Sequence, residues 1–138
     1  MSKRIKEKTK ELKKYVSELE LIMPDNFNVY LNDFKTKAAC ERYFEKIVES
    51  IIDLAFLVIK EKGFTSPEDD SGAIDILKKE NIIDNELAKK LKDAKGMRNI
   101  IIHQYGSVDD EIVYSSITEE IISDAQDFID SINKQYKK

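Results

Sequence analysis

Between residues 36 and 62 the apolar positions fall into two adjacent rows, Tyr43-Ile47-Ile51-Leu54-Val58 and Phe44-Val48-Ile52-Ala55-Ile59. Steps of three and four residues place each row on one side of an α-helix, and two neighbouring rows make a wide apolar face. The pattern predicts a central helix over 36–62, with Gly63 as its C-terminal stop. Upstream, Ile5, Leu12, Tyr15, Val16, Leu19 and Ile22 predict a helix over 2–22 that ends before Pro24 and lies peripheral to a core over 36–135. Val29-Tyr30-Leu31 supplies material for one more helical turn. Residues 65–72 read as an acidic, turn-rich loop, followed by a short helix over 73–79. A new start signal stands at Asp84, with Glu86 in the first turn where the helix dipole favours a carboxylate. That helix puts Leu87, Leu91, Ala94 and Ile101 or Ile102 inside, and is expected to end near Gly106. A last helix from about Asp109 carries the row Val113, Ile117, Ile121, Ala125, Phe128 and Ile132, with its acids on the opposite side. The expected fold is all-α, an antiparallel helical bundle of four to five helices forming a single domain over 1–138.

Composition narrows this further. Four glycines and two prolines in 138 residues are too few for the tight connections of a sandwich or barrel. One cysteine, Cys40, and one histidine cannot make an internal disulfide or a zinc set, so neither metal nor cofactor is implied. The lysine-rich start lacks the apolar region of a secretory signal, and no window approaches a membrane span, which points to a cytoplasmic protein with no membrane association.

The net charge of −4 and pI near 5.2 argue against a general nucleic-acid coat protein. The distribution is more informative, because residues 87–105 carry five cations against one acid while 64–86 and 106–138 are acidic. Taken alone, Lys89, Lys90, Lys92 and Lys95 are the solvated face of an amphipathic helix. The same segment, however, holds the lone histidine and an arginine set among apolar residues, in Met97-Arg98-Asn99-Ile100-Ile101-Ile102-His103-Gln104-Tyr105-Gly106. On an ideal helix Asn99 and His103 share a face, whereas Arg98 and His103 are roughly 140° apart. For both to meet one phosphate, either the helix must end or distort near His103, or a second protomer must complete the site. A lone histidine on an apolar helix is ordinarily a hydrogen-bonded core residue.

The string Arg-Asn, three apolar residues, His, any residue, Tyr resembles the signature of the HepT-like ribonucleases of the HEPN superfamily. The likeness extends to Ala38-Ala39-Cys40-Glu41-Arg42-Tyr43, to Ile52-Asp53-Leu54-Ala55 and to Ile112-Val113-Tyr114, in the family's order and over about residues 30–135. The resemblance implies a small toxin that cleaves RNA without metal as a homodimer, paired with an MntA-like nucleotidyltransferase antitoxin. It places catalysis on Arg98 and His103, a supporting role on Asn99, and AMPylation by the antitoxin on Tyr105. The residue types suit that chemistry. Metal-free cleavage uses the ribose 2′-OH as nucleophile; histidine moves protons near neutral pH and arginine stabilises the developing charge. A two-fold dimer would bring two motifs to one cleft and so supply both acid and base. Lys95 and Arg42 are further candidates for RNA contact. The alternatives are a non-catalytic HEPN module that partners a nucleotidyltransferase and holds nucleotide or that partner, and a plain dimeric bundle.

Overall fold

In a computed structural model, which describes residues 1–103 and 109–137, all regular structure is helical. The helices are α1 (Lys3–Ile22), α2 (Phe27–Asn32), α3 (Phe34–Lys62), α4 (Asp70–Lys79), α5 (Asn85–His103), α6 (Asp110–Ser115) and α7 (Ile121–Lys134), with a π-helical turn over Ser116–Glu120 joining the last two. The all-α bundle is as expected. Among the described residues no helix is long and apolar enough to cross a membrane.

Helix starts are set by short polar side chains that satisfy otherwise unpaired N–H groups. Ser2, Asn26, Asp33, Asp84 and Asp109 all accept hydrogen bonds from backbone N–H groups of the helices they precede. Asp69 does the same for α4, accepting from Gly72 N at 2.7 Å, and this corrects the expected loop over 65–72. Its last three residues are helical because Asp69 caps the turn that Ser71 and Gly72 were expected to break. At the other end of α3, Gly63 sits at φ 72°, the left-handed conformation that closes the helix.

α3 is the axis of the molecule. Both of its apolar rows are covered: α1 lies along one side, antiparallel, with Lys8 paired to Asp53 at 3.4 Å and the Tyr15 and Tyr43 rings edge-on at 6.4 Å. α4, α5 and α7 cover the rest. Ile5, Leu12 and Leu19 are fully buried, so α1 is not peripheral. Its apolar side chains step by three and four residues, and only a second helix of similar length can cover such a stripe. The core therefore begins at Ile5 and continues to Ile132.

The last helix is interrupted where one unbroken helix was expected. Val113, Ile117, Ile121 and Ala125 are four residues apart each time, a spacing that drifts about 40° per step, or about 120° in all, on a regular α-helix. The π turn absorbs one extra residue and cuts the drift to about 20°; all four side chains reach the core at 1% exposure or less. The acids of this helix do not all lie opposite the row. Asp124 is 5% exposed, and burial is the largest cause pushing its carboxyl up to about 6, with Glu120, Asp127 and Asp93 adding to the rise and Lys90 opposing it.

An acid whose folded pKa lies above its unfolded value holds its proton more tightly when folded, so stability falls as pH rises from about 4 to about 6. Asp124→Asn is expected to raise the melting temperature at pH 7, by a free energy on the order of 1–2 kcal/mol, and to flatten its decline between pH 4 and 6. Thermal denaturation across that range checks it, and an unchanged slope contradicts this account of Asp124.

Candidate functional site

α5 lays successive cations against α4. Lys92 Nζ lies 2.5 Å from Asp75 Oδ1, Lys95 Nζ donates to Ser71 Oγ at 3.2 Å, and Arg98 Nη2 reaches Asp70 Oδ2 at 3.4 Å. Residues three apart on α5 thus meet residues of falling number on α4, as antiparallel neighbours must. Arg98 is well enclosed, its side chain 14% exposed against 39% for Lys92. Its Nη2 also donates to Asn99 Oδ1 at 3.1 Å. Its Nε is buried and finds no hydrogen-bond partner among the described residues. Asp70 stands in the first turn of α4, where the helix dipole favours a carboxylate, so it holds the guanidinium without itself being destabilised.

The structure therefore joins Arg98, Asn99 and Lys95 at one junction of α4 and α5, and adds Asp70, which was missed in the sequence. The signal was present as an Asp-Asp pair ahead of a helix, but with the start placed at Ala73 it read as loop. Arg42 is not joined to this junction by any hydrogen bond or ion pair among the described residues. It lies on α3, 58% exposed at its side chain, and pairs with Glu45 at 2.9 Å.

His103 forms the last described residue of α5 and is exposed. The helix is regular from Arg98 to His103, which keeps the separation of roughly 140° between them. The guanidinium lies against α4 and the imidazole leaves α5 on a different side. Ile101 between them is buried, while its neighbours Ile100 and Ile102 are 41% and 44% exposed. The motif is thus framed by uncovered apolar surface. Tyr105 and Gly106 lie outside the described residues.

A second polar cluster fixes where the chain returns after the motif. Lys37 Nζ bridges Glu41 at 2.7 Å and Asp110, the first residue of α6, at 3.3 Å, while the Tyr30 hydroxyl donates to Glu41 at 3.3 Å. Burial, reinforced by Glu41, holds the Tyr30 phenol above its ordinary pKa. Tyr30 also packs its ring against Tyr114 at 5.1 Å, so α2, α3 and α6 are tied at one corner. Cys40 nearby is buried, and burial pushes its thiol up to about 11, which suits packing rather than nucleophilic work.

The arrangement provides a partly desolvated guanidinium and an exposed imidazole that diverge on one helix; the first residue type suits phosphate binding and the second proton transfer. Known proteins are similar to this chain in sequence and fold. The family model described as Ribonuclease HepT-like matches residues 5–132. An mRNA nuclease HepT of Shewanella oneidensis is 23% identical over 90% of this chain and 92% of its own, and a tRNA nuclease HepT of Aphanizomenon flos-aquae is 27% identical over 76% and 71%. A candidate RNase of Archaeoglobus fulgidus is 42% identical over 72 residues; the match spans about half of that relative, 54% of its length, and 52% of this chain. Among solved structures, the tri-AMPylated HEPN toxin of Shewanella oneidensis in complex with MNT antitoxin superimposes with a TM-score of 0.90 at 23% identity, over 97% of this chain and 99% of that one. That likeness speaks for the fold, and the family match spans nearly the whole sequence. The chain belongs to the ribonuclease HepT-like family, a family of RNA-cleaving enzymes.

Proposed function

We propose that this chain is a cytoplasmic endoribonuclease toxin that cleaves RNA without metal, acts as a homodimer and is neutralised by AMPylation of Tyr105 by a nucleotidyltransferase antitoxin. The observation that carries the reading is the Arg98 guanidinium, held by Asp70 and Asn99 with Nε sealed and unpaired, on the same regular helix as His103 in a chain of this family. In the proposed step the ribose 2′-oxygen attacks phosphorus, the bond from phosphorus to the 5′-oxygen breaks, and the 2′-proton and a proton for the leaving oxygen are exchanged with imidazoles. Arg98 stabilises the charge that builds on the non-bridging oxygens.

Geometry and surface support the dimer. With Arg98 and His103 roughly 140° apart on a straight helix, one protomer's pair diverges, and a second copy brings the missing direction. Exposed Ile100 and Ile102 supply apolar area for that contact. Two imidazoles per cleft then give one acid and one base. The antitoxin reading rests on Tyr105 in the motif and on the AMPylated state of the Shewanella toxin. An adenylyl group on Tyr105 adds a phosphate charge within the motif, where it would compete with RNA for the motif's positive charge.

Three outcomes are expected. Purified protein should degrade RNA equally with and without EDTA, and His103→Ala should lower the rate at least ~100-fold; an EDTA-sensitive activity, or one indifferent to His103, contradicts the reading, and no activity at all returns the chain to the binding-module alternative. Asp70→Ala should lower kcat by roughly 10- to 100-fold through loss of guanidinium positioning, with little change in affinity for a 2′-deoxy-substituted, uncleavable RNA; a change confined to affinity would assign Asp70 to binding. Tyr105→Phe, coexpressed with a cognate nucleotidyltransferase, should gain no adenylyl mass and stay toxic, and full neutralisation through covalent modification elsewhere overturns the assignment.

A further inference from the structure

Behind α5, away from α4, a cavity of about 200 Å³ opens between α3, α5, the π turn and the start of α7. Phe44, Met97 and Ile112 form apolar wall, and Asp93, Glu120 and Asp124 bring three carboxyl groups to the same space. Asp124 is the unusual member. It is 95% buried by complement of its 5% exposure, lines the cavity, and accepts no hydrogen bond and forms no ion pair within 4 Å among the described residues. Lys90 is the cation whose field reaches it, and Lys90 is already paired with Glu86 at 3.3 Å. The carboxyl is not sealed off, so it is reached through the cavity, and no protein donor among the described residues occupies it.

The π turn contributes directly. By taking one residue more than a regular turn it brings Ser116 and Glu120 to the cavity wall while Ile117 stays in the core, and such bulges recur at binding sites. Ile112 on the lip is 54% exposed, an apolar surface that the stem of a ligand would cover. Asp124 within, the exposed Asp93 and Glu120 at the rim, and apolar wall running from buried Phe44 out to Ile112 describe a receptor for a cation on an aliphatic stem. Three carboxyls drawn from two directions favour a planar fork with five donors over a point charge.

We propose that this cavity binds a guanidinium group carried on an aliphatic chain, with Asp124 as its principal acceptor and Glu120 and Asp93 completing the charge. The same chemistry comes from a free alkylguanidine or from an arginine side chain of a polypeptide. Neither source touches Arg98 or His103, so the site is independent of RNA cleavage and is read without it.

The test is calorimetric and NMR-detected titration of the full chain with agmatine, with Nα-acetyl-arginine amide, and with butylamine as an ammonium control. Saturable binding of agmatine is expected, several-fold tighter than butylamine, and weakened at least about ten-fold in Asp124→Asn and measurably in Glu120→Gln. Equal binding of the acetyl-arginine amide assigns the site to a polypeptide side chain, and its failure beside bound agmatine assigns it to a free alkylguanidine. Asp124→Asn removes a destabilising buried acid, so the variant is expected to fold, and its unchanged RNA cleavage keeps the two sites distinct. No saturable binding of any guanidine at millimolar concentration, or binding undiminished in Asp124→Asn, overturns the proposal.

Discussion

Everything in this molecule is arranged around the need to cover α3. A helix of 29 residues with two apolar rows cannot stay wet on any long side, and its burial is the largest favourable term available to a chain of this composition. α1, α5 and α7 run along it because only helices of comparable length can close over such rows, and α2 and α4 close the corners they leave. The functional face inherits its rigidity from this. α5 is pinned by Leu87, Leu91 and Ile101 in the core, so the side chains that point away from the core start from a fixed backbone.

Polar contacts then select what the fixed backbone presents. Between α4 and α5 the ladder Lys92–Asp75, Lys95–Ser71 and Arg98–Asp70 passes from an exposed rung to two part-buried ones, the last holding the guanidinium at 14% exposure. Exposed pairs of this kind contribute little free energy; their effect here is to set the register of two short antiparallel helices. The last rung is different, because a guanidinium removed from most of its water interacts more strongly with whatever charge approaches it.

The bundle was legible in the sequence because it rests on periodicity, which is a local property. The Arg98…His103 motif was legible for the same reason, being carried within one helix. Asp70 was not, since its role depends on a helix start that Asp69 creates and on a partner 28 residues further on. Asp124 was grouped with the opposite acids by residue type, although eleven residues after Val113 it projects only about 20° from it on a regular helix. The spacing of four repeated at Val113, Ile117, Ile121 and Ala125 was the trace of the π turn, and was read instead as ordinary periodicity. Nor could any local pattern show that α1 belongs to the core, because its stripe gains meaning only beside α3.

The unpaired Nε of Arg98 has a consequence for how this chain balances stability against chemistry. A buried N–H without an acceptor costs the folded state roughly 1–3 kcal/mol, a large fraction of the margin by which small proteins stay folded. In return the guanidinium is ordered before any substrate arrives, and a phosphate that reaches it has no side-chain entropy to overcome. On the proposed role, selection for a more stable fold would remove this atom first and selection for RNA cleavage would keep it, so the frustration at Arg98 would mark where the two demands meet.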